Sequence, residues 1–152
     1  MAERVLSCAL FIESPAGVLL AHATGTPRWD LPKGRREAGE APIDAALREC
    51  LEETGLDFRA CRTKLQDRGQ HPYLREKDLH LFCLRIDRAL NLSGCCCTTR
   101  TTRADGREVW ETDAYEWVPR EKIAERVGKS LVNYLRELSL IPAAPRPTMR
   151  PR

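Results

Sequence analysis

Residues 34–56 read GRREAGEAPIDAALRECLEETGL, and this stretch decides the fold because it predicts one amphipathic helix. Pro42 suits the first helical position, Asp44 suits the positive amino end of a helix, and Gly55 suits its termination. One stripe of this helix should pack on a sheet, and it consists of Ile43, Ala46, Leu47, Cys50 and Thr54. Another stripe is acidic and should face a cleft.

Three glutamates form the acidic stripe: Glu49, Glu52 and Glu53. Helical neighbours lie three and four positions apart, so these carboxylates converge and repel one another. A helix that keeps such a cluster is predicted to hold a cation, and oxygen-only ligands suit Mg²⁺ best, with Mn²⁺ as the alternative. Arg48 precedes Glu52 by four positions, so the two can form an ion pair. The ordinary alternative is a solvated acidic helix face.

The same stretch resembles the Nudix box. This motif consists of a glycine, five residues, a glutamate, seven residues and then the pattern R-E-apolar-x-E-E-x-G-apolar. Its fixed places are filled here by Gly34, Glu40, Arg48, Glu49, Cys50, Glu52, Glu53, Gly55 and Leu56. Cys50 is a less usual residue at an apolar place. The resemblance implies a Mg²⁺-dependent hydrolase in which Glu49, Glu52 and Glu53 bind metal and Arg48 orients them. It also implies that Gly34 lets the loop wrap the site and that Glu40 is mainly structural.

A further carboxylate comes from outside the box in several Nudix proteins, six residues before a tryptophan of the late strand. Glu111 lies six residues before Trp117, so the resemblance implies Glu111 as a fourth metal ligand or general base. An ordinary loop glutamate is the alternative, and Glu108 and Glu116 are rivals. Strand alternation places Glu116 and Trp117 on opposite faces.

The segment WDLPKG, residues 29–34, resembles the lead-in of Nudix enzymes that act on dinucleoside polyphosphates. Lys33 can contact a polyphosphate as a point charge. In the family, a residue sixteen to eighteen positions beyond the box marks the substrate, proline for ADP-ribose and tyrosine for dinucleoside polyphosphates. Pro72 is sixteenth after Leu56 and Tyr73 is seventeenth, so the marker is split. Tyr73 can stack on a nucleobase, and a plain loop tyrosine is an equal alternative.

Composition indicates one globular domain in a reducing compartment. The 152 residues carry a net charge of only +3, which gives no firm indication of a nucleic-acid partner. No apolar run approaches the ~20 residues that span a bilayer, and the amino terminus has no signal-peptide layout, so we expect no membrane association. Seven cysteines without a Cys-x-x-Cys pair predict free thiols and a cytoplasmic location. The triplet Cys95-Cys96-Cys97 should be a loop or strand end with reduced thiols, with a soft-metal or redox site as the alternative.

The rest of the chain predicts further strands and a late helix. Strands are expected at Val5–Ile12, Val18–Ala23, Phe58–Arg68, Lys77–Ile86 and Ala114–Val118, with a short extended piece at Trp29–Pro32. Lys33–Glu40 and Gln70–Tyr73 are expected in loops, and Asp87–Arg107 in a long loop or irregular hairpin. Helical segments are expected at Pro119–Val127 and Lys129–Leu140.

These elements predict an α/β (α+β) fold, and the resemblance implies a Nudix-type α/β/α sandwich with a mixed β-sheet. We expect residues 1–141 to form this domain and residues 142–152, rich in proline and arginine, to be a disordered tail.

The predicted function is Mg²⁺-dependent cleavage of a nucleoside diphosphate linked to another moiety, with a small nucleotide as substrate. Dinucleoside polyphosphates are the leading candidate substrates. ADP-ribose, nucleoside triphosphates and the 5′ pyrophosphate of RNA are alternatives, as is a non-catalytic domain that senses a nucleotide. The sequence leaves the oligomeric state open.

Overall fold

A computed structural model describes residues 4–152, and within them nine strands and two α-helices follow one another. The strands are β1 (Val5–Ser14), β2 (Gly17–Ala23), β3 (Trp29–Asp30), β4 (Lys33–Arg35), β5 (Gln66–Leu74), β6 (Lys77–Arg85), β7 (Arg100–Thr102), β8 (Glu108–Trp110) and β9 (Thr112–Val118). The helices are α1 (Pro42–Thr54) and α2 (Lys129–Glu137), with 3₁₀ helices at Arg59–Lys64, Leu92–Gly94 and Arg120–Glu125.

The main sheet is mixed, as predicted. Its strand order is β3-β2-β1-β6-β5, with β4 paired to β1 and β9 paired to β2. β1 and β6 run parallel, whereas the other described pairs are antiparallel. β7 and β8 form a separate two-stranded hairpin.

Helices cover both faces of this sheet, which confirms the predicted α/β/α sandwich. Alternate residues of β1 point to opposite faces: Ala9 and Phe11 pack on the α2 side, and Cys8, Leu10 and Ile12 pack on the α1 side. The α2 layer contributes Leu131, Val132, Tyr134 and Leu135. The α1 layer contributes Ala45, Ala46, Leu47 and Cys50.

Helix α1 begins and ends where the sequence predicts. Pro42 occupies its first turn, and Gly55 ends it in the left-handed conformation, with φ of 78°. The Gly55 N–H donates to the Leu51 carbonyl at 2.8 Å. The apolar stripe packs on the sheet. In the acidic stripe, Glu49 and Glu52 are partly exposed and Glu53 is buried.

The cysteine triplet lies in a loop that closes the carboxyl end of α1. The Cys96 N–H donates to the Thr54 carbonyl at 3.1 Å, and the Thr98 N–H donates to the Glu52 carbonyl at 2.7 Å. These bonds satisfy carbonyls that have no partner within the helix. The loop placement is therefore confirmed, and all seven cysteines are free thiols in the structure.

The predicted strand Phe58–Arg68 is wrong over its first half. Residues Arg59–Lys64 form a 3₁₀ helix, because the Asp57 carboxylate accepts the Arg59 N–H at 3.0 Å and starts a turn. β5 then runs from Gln66 to Leu74, so Gln70–Tyr73 lies within a strand and not in a connection. β5 is the edge of the main sheet, which is where a strand tolerates Pro72.

Three other boundaries also differ from the prediction. Lys33–Arg35 forms β4 rather than loop, because these residues pair with Ser7–Ala9 of β1. Pro119–Val127 contains a 3₁₀ helix, and α2 stops at Glu137. Residues 142–152 are exposed and carry no helix or strand. Their disorder and the domain limit at residue 141 stay predictions, and residues 1–3 lie outside the described part of the chain.

Across the described residues, every helix is too short or too polar to cross a lipid bilayer.

Candidate active site

Helix α1 and strand β4 bring Glu49 and Gly34 into direct contact. A Cβ atom on Gly34 would overlap the Glu49 carboxyl group. Any side chain at residue 34 would therefore displace the Glu49 carboxyl group from this position. Strand β4 passes directly beside Glu49, and the carboxylate keeps its place only while residue 34 has no side chain.

Arg48 holds a network that is larger than the single predicted pair. Its guanidinium donates to both Glu40 oxygens at 2.8 and 2.9 Å. Its Nη1 donates to Glu49 at 2.9 Å and to Glu52 at 3.1 Å, so the predicted pair with Glu52 is confirmed. Its Nη2 also donates to the Arg35 carbonyl at 3.0 Å. Hydrogen bonding to Glu40 raises the pKa of Arg48, so this cation is permanent.

Glu53 is the most buried of the three box glutamates, with 8% of its surface exposed. Its Oε2 accepts the Lys33 N–H at 3.2 Å. Burial raises the pKa of Glu53 from 4.5 to about 9, against the lowering effect of Lys33, and the charges of Glu49 and Asp30 add to the rise. In the metal-free protein this carboxyl group is therefore protonated at neutral pH.

The Glu53 backbone is fixed from strand β9. Thr112 Oγ1 donates to the Glu53 carbonyl at 2.9 Å, and the Tyr115 hydroxyl donates to the same carbonyl at 2.5 Å. Sequence reasoning missed both residues. The contact joins positions about sixty residues apart, so no local pattern could have indicated it.

Glu111 and Glu53 line one cleft of about 180 Å³, and Lys33 and Asp30 also line it. Thr99 Oγ1 donates to Glu111 Oε2 at 3.0 Å and holds the carboxylate. Glu108 and Glu116, the two rivals of Glu111 for the role of further metal ligand, do not line this cleft. Glu116 pairs with Arg126 at 2.7 Å, and Glu108 is exposed on β8 and lies 3.8 Å from Arg100.

Lys33 extends into the cleft, where its Nζ lies 3.2 Å from Asp30 Oδ2. Burial lowers the pKa of Lys33, but the Asp30 carboxylate raises it through its charge and its hydrogen bond, so the net pKa is raised and Lys33 is a cation. Asp30 was not predicted as a site residue, although its spacing of three from Lys33 is visible in the sequence.

Tyr73 is half-buried, and its ring packs edge-on to Tyr134 at 6.5 Å between centroids. The Lys33 and Asp30 charges both act on its hydroxyl, which places the hydroxyl near the cleft. Burial raises the pKa of Tyr73, so the hydroxyl stays protonated at neutral pH. Stacking of Tyr73 on a nucleobase stays a prediction.

The carboxylates fit a hard divalent cation by their chemistry, since all four candidate ligands offer oxygen. Burial raises the pKa of Glu49 against the effect of Arg48, and the charges of Glu52 and Glu111 raise it further. Arg48 is already matched by Glu40, and Lys33 by Asp30, so negative charge is left in excess. Glu49 and Glu52 are turned toward Arg48, and Glu53 toward the Lys33 amide. Within residues 4–152, no three Asp, Glu, His or Cys side chains therefore stand together as ligands of one ion.

The comparison with known families decides what this arrangement is. The NUDIX domain model matches residues 3–138, nearly the whole chain. The chain belongs to the Nudix family. A Nudix hydrolase acts on phosphoric anhydrides, and the family generally uses a divalent metal such as Mg²⁺.

Individual relatives of this Nudix hydrolase agree with the assignment. An uncharacterized 17.7 kDa protein of Enterobacteria phage T4 is 37% identical over 113 residues, which cover 73% of this chain and 74% of that protein. An RNA pyrophosphohydrolase of Psychrobacter sp. is 32% identical over 115 residues, covering 66% of this chain and 61% of that protein. A C. elegans Ap4A hydrolase has the same fold, with a TM-score of 0.61 at 20% identity, covering 88% of this chain and 96% of that one.

The contact between Gly34 and Glu49 predicts that adding one methyl group at residue 34 will strongly reduce activity. We expect Gly34→Ala to lower kcat/KM by at least about tenfold, because the added Cβ displaces a proposed metal ligand and small errors of geometry are costly in catalysis. Gly94→Ala is the matched control, since a Cβ there meets no atom within 4 Å. Steady-state kinetics of both variants tests this. Equal activity in the two would mean that the Glu49 position is unimportant.

Arg48→Ala is expected to cost both activity and stability. The variant leaves Glu40, Glu49 and Glu52 without their shared cation, so we expect a loss of about 2 kcal/mol in unfolding free energy. We expect a fall of at least about 100-fold in kcat at saturating metal, because the orientation of the carboxylates is lost. The surface variant Arg59→Ala removes an exposed pair with Asp57 and serves as control. A melting loss with normal metal-saturated turnover would make Arg48 purely structural.

Proposed function

We propose that this Nudix hydrolase cleaves a nucleoside diphosphate linked to another moiety, in a Mg²⁺-dependent reaction, with dinucleoside polyphosphates as leading substrates. The observation that carries the proposal is the cleft itself. Glu53 and Glu111 line it together, and the Lys33 cation and Asp30 line the same cleft. Such a site suits an anionic substrate only after a divalent cation has offset the carboxylates.

Glu49, Glu52, Glu53 and Glu111 would hold this ion, with Mn²⁺ as the alternative to Mg²⁺. When bound, the ion supplies charge neutralisation of phosphate oxygens and a lowered pKa of coordinated water. The positioning of the ligands depends on other residues of the protein. Arg48 keeps Glu49 and Glu52 in place through the bonds described above, and Gly34 leaves room for Glu49.

Glu53 and Glu111 are the two candidates for the proton acceptor. Glu111 is held by Thr99 and remains partly accessible, which suits a group that exchanges protons with bound water. Glu53 is buried, and its proton affinity must fall before it can act as a base. A cation within the cluster has that effect, because opposite charge lowers the pKa of a carboxyl group.

The preference for long polyphosphates rests on Lys33. Its ammonium is the cation that lines the cleft, and it is shared with Asp30. An additional phosphate would compete with Asp30 for this group and gain a charge-assisted contact. Tyr73 is half-buried, and it would stack on a nucleobase of the substrate.

We expect diadenosine polyphosphates to be hydrolysed with higher kcat/KM than ADP-ribose, because ADP-ribose has fewer phosphates for Lys33 to hold. Lys33→Ala should reduce this preference, and Lys122→Ala, an exposed lysine away from the cleft, should not. Product identification and kcat/KM for both compounds test the idea. Preference for ADP-ribose, or an equal loss for both compounds in Lys33→Ala, would remove Lys33 as the selecting residue.

Removal of the 5′ pyrophosphate from RNA is the second candidate, and an exposed tryptophan favours it. Trp110 precedes Glu111 directly and has 46% of its surface exposed. The Arg100 guanidinium lies 4.4 Å from the centre of its ring. An exposed tryptophan next to Glu111 in the chain, with an arginine over its ring, suits a nucleotide chain that extends beyond the cleaved phosphates. Trp110→Ala should then lower pyrophosphate release from 5′-triphosphorylated RNA more than hydrolysis of a diadenosine polyphosphate.

A further inference from the structure

A second cavity, of about 370 Å³, lies at the carboxyl ends of β1 and β6. Four cationic side chains line it, together with one carboxylate, Glu13; the cations are Lys64, Arg68, Arg85 and Arg120. The catalytic cleft has the opposite character, since carboxylates dominate there. The reaction described above makes no use of this cavity.

Most of the positive charge in this cavity has no carboxylate partner. Arg120 forms a two-bond pair with Glu13, at 2.5 and 2.7 Å, so these two charges cancel. Arg68 donates to the Leu138 carbonyl at 3.0 Å, which is a neutral acceptor. Within residues 4–152, Lys64, Arg68 and Arg85 form no ion pair.

All four cations line this one cavity, although Lys64 and Arg85 are also exposed to solvent. Arg68 and Arg120 line the cavity together with Cys83. Burial raises the pKa of the Cys83 thiol to about 11, and the charges of Arg68 and Arg120 both act against this rise. Hydrogen bonding from Arg120 lowers the pKa of Glu13, and the charge of Arg85 lowers it further. Arg85 and Arg120 therefore share the neighbourhood of Glu13, and Arg68 and Arg120 share that of Cys83.

An apolar floor makes these charges more effective. Phe11, Leu84 and Leu140 line the cavity and are buried, with at most 6% of their surface exposed. The Arg120 guanidinium lies 5.5 Å from the Phe11 ring centre, which holds it against the floor. Charge interactions are stronger beside such a surface than in bulk water.

We propose that this cavity is a second anion site, which binds a small phosphate-bearing ligand such as pyrophosphate. Guanidinium groups bind phosphate oxygens through paired N–H donors, and three uncompensated cations match an anion with several charges. The volume falls within the range of about 300–1,000 Å³ that is usual for small-molecule sites.

The second site is separate from the catalytic cleft. Ala9 pairs with Lys33 of the cleft, and Glu13 lies four residues further along β1. At about 3.3 Å per residue the two sites are roughly 13 Å apart. Both can therefore be occupied at once, and residues of the second cavity can be changed without touching the box.

Calorimetric titration of pyrophosphate in metal-free buffer tests the proposal, because the acidic cleft repels the ligand under these conditions. Arg85→Gln is the main variant, since its exposed side chain makes no hydrogen bond that the fold needs. We expect it to weaken binding by about tenfold. Arg68→Gln should do the same. Arg75→Gln removes an equal charge from the β5–β6 turn at the opposite end of that hairpin and should bind as the wild type does.

Three results would each overturn the second site. The first is that Arg85→Gln and Arg68→Gln bind pyrophosphate as tightly as the wild type, and the second is that Arg75→Gln binds it as weakly as Arg85→Gln and Arg68→Gln. The third is that Arg85→Gln has a reduced metal-saturated turnover. The last would place the cavity within the catalytic reaction. ADP titrated into the same proteins separates two sources of phosphate. Equal Arg85-dependent affinity for both ligands assigns recognition to the phosphates, and tighter ADP binding assigns it to a nucleoside diphosphate.

Discussion

Glu53→Gln and Glu52→Gln are each expected to lower kcat by at least about 100-fold while the fold stays intact. Each change removes the negative charge of a proposed metal ligand but keeps the size of the side chain. A glutamine oxygen at position 53 can still accept the Lys33 N–H, and one at position 52 can still accept from Arg48. Metal affinity should therefore fall while packing survives.

Turnover and thermal melting of both variants are the measurements, with Glu137→Gln as the control. Glu137 is an exposed glutamate at the end of α2, far from the box in sequence, so its loss tests charge removal alone. Full activity in both box variants would remove the proposed active site.

The pH dependence of stability gives an independent readout for Glu53. Its folded-state pKa of about 9 lies above its ordinary value of 4.5, so the folded, metal-free protein binds a proton that the unfolded chain releases across this range. The stabilising contribution is complete below about pH 4.5 and is lost as the pH rises through 9. Denaturant unfolding in EDTA should show this decline in the wild type and a flatter profile in Glu53→Gln. Identical profiles would contradict the buried, protonated carboxyl group.

Removal of divalent metal is expected to abolish catalysis completely, and added Mg²⁺ should restore it. Mg²⁺ should also raise the melting temperature, because it binds the folded cluster and relieves the repulsion of Glu49 by Glu52 and Glu111. At a hundredfold excess over its dissociation constant the ion would add about 2.7 kcal/mol to the unfolding free energy.

The matched comparison is the same titration on Glu53→Gln. Its melting temperature should rise less at every Mg²⁺ concentration, since one ligand charge is missing. Na⁺ at equal ionic strength controls for general salt effects. A reaction that continues in excess EDTA would be fatal to the proposed mechanism, whatever the effect of Mg²⁺ on melting.

The sequence by itself determined helix α1 and the layers around it. Pro42 and Gly55 fix the ends of α1 through backbone geometry that those two residues favour, and the 3.6-residue period separates its apolar and acidic stripes. The pair of Arg48 with Glu52 follows from the same period. Local signals of this kind need no knowledge of distant residues, which explains why they were sufficient for the fold class.

Elements that depend on distant partners were misjudged. Lys33–Arg35 looks like a polar loop, and it becomes strand β4 only because β1 supplies hydrogen-bonding partners about 25 residues earlier in the chain. Gln70–Tyr73 contains a proline and reads as a turn, yet it lies on an edge strand that tolerates proline. The local propensity for a strand is weak in both segments, so pairing with a neighbouring strand decides their secondary structure.

The candidate site also combines features that the sequence shows with features that only the tertiary structure shows. The glutamates and Gly34 are visible in the box, but only the tertiary structure shows that Glu49 lies directly on Gly34 and that Arg48 is shared with Glu40. Thr112 and Tyr115 reach the Glu53 carbonyl from β9, and Thr99 holds Glu111. The basic cavity likewise gathers residues from β1, β5, β6 and the segments around α2. Hydrogen bonds and charges act over a few ångströms in space, so chain folding decides which of these side chains meet.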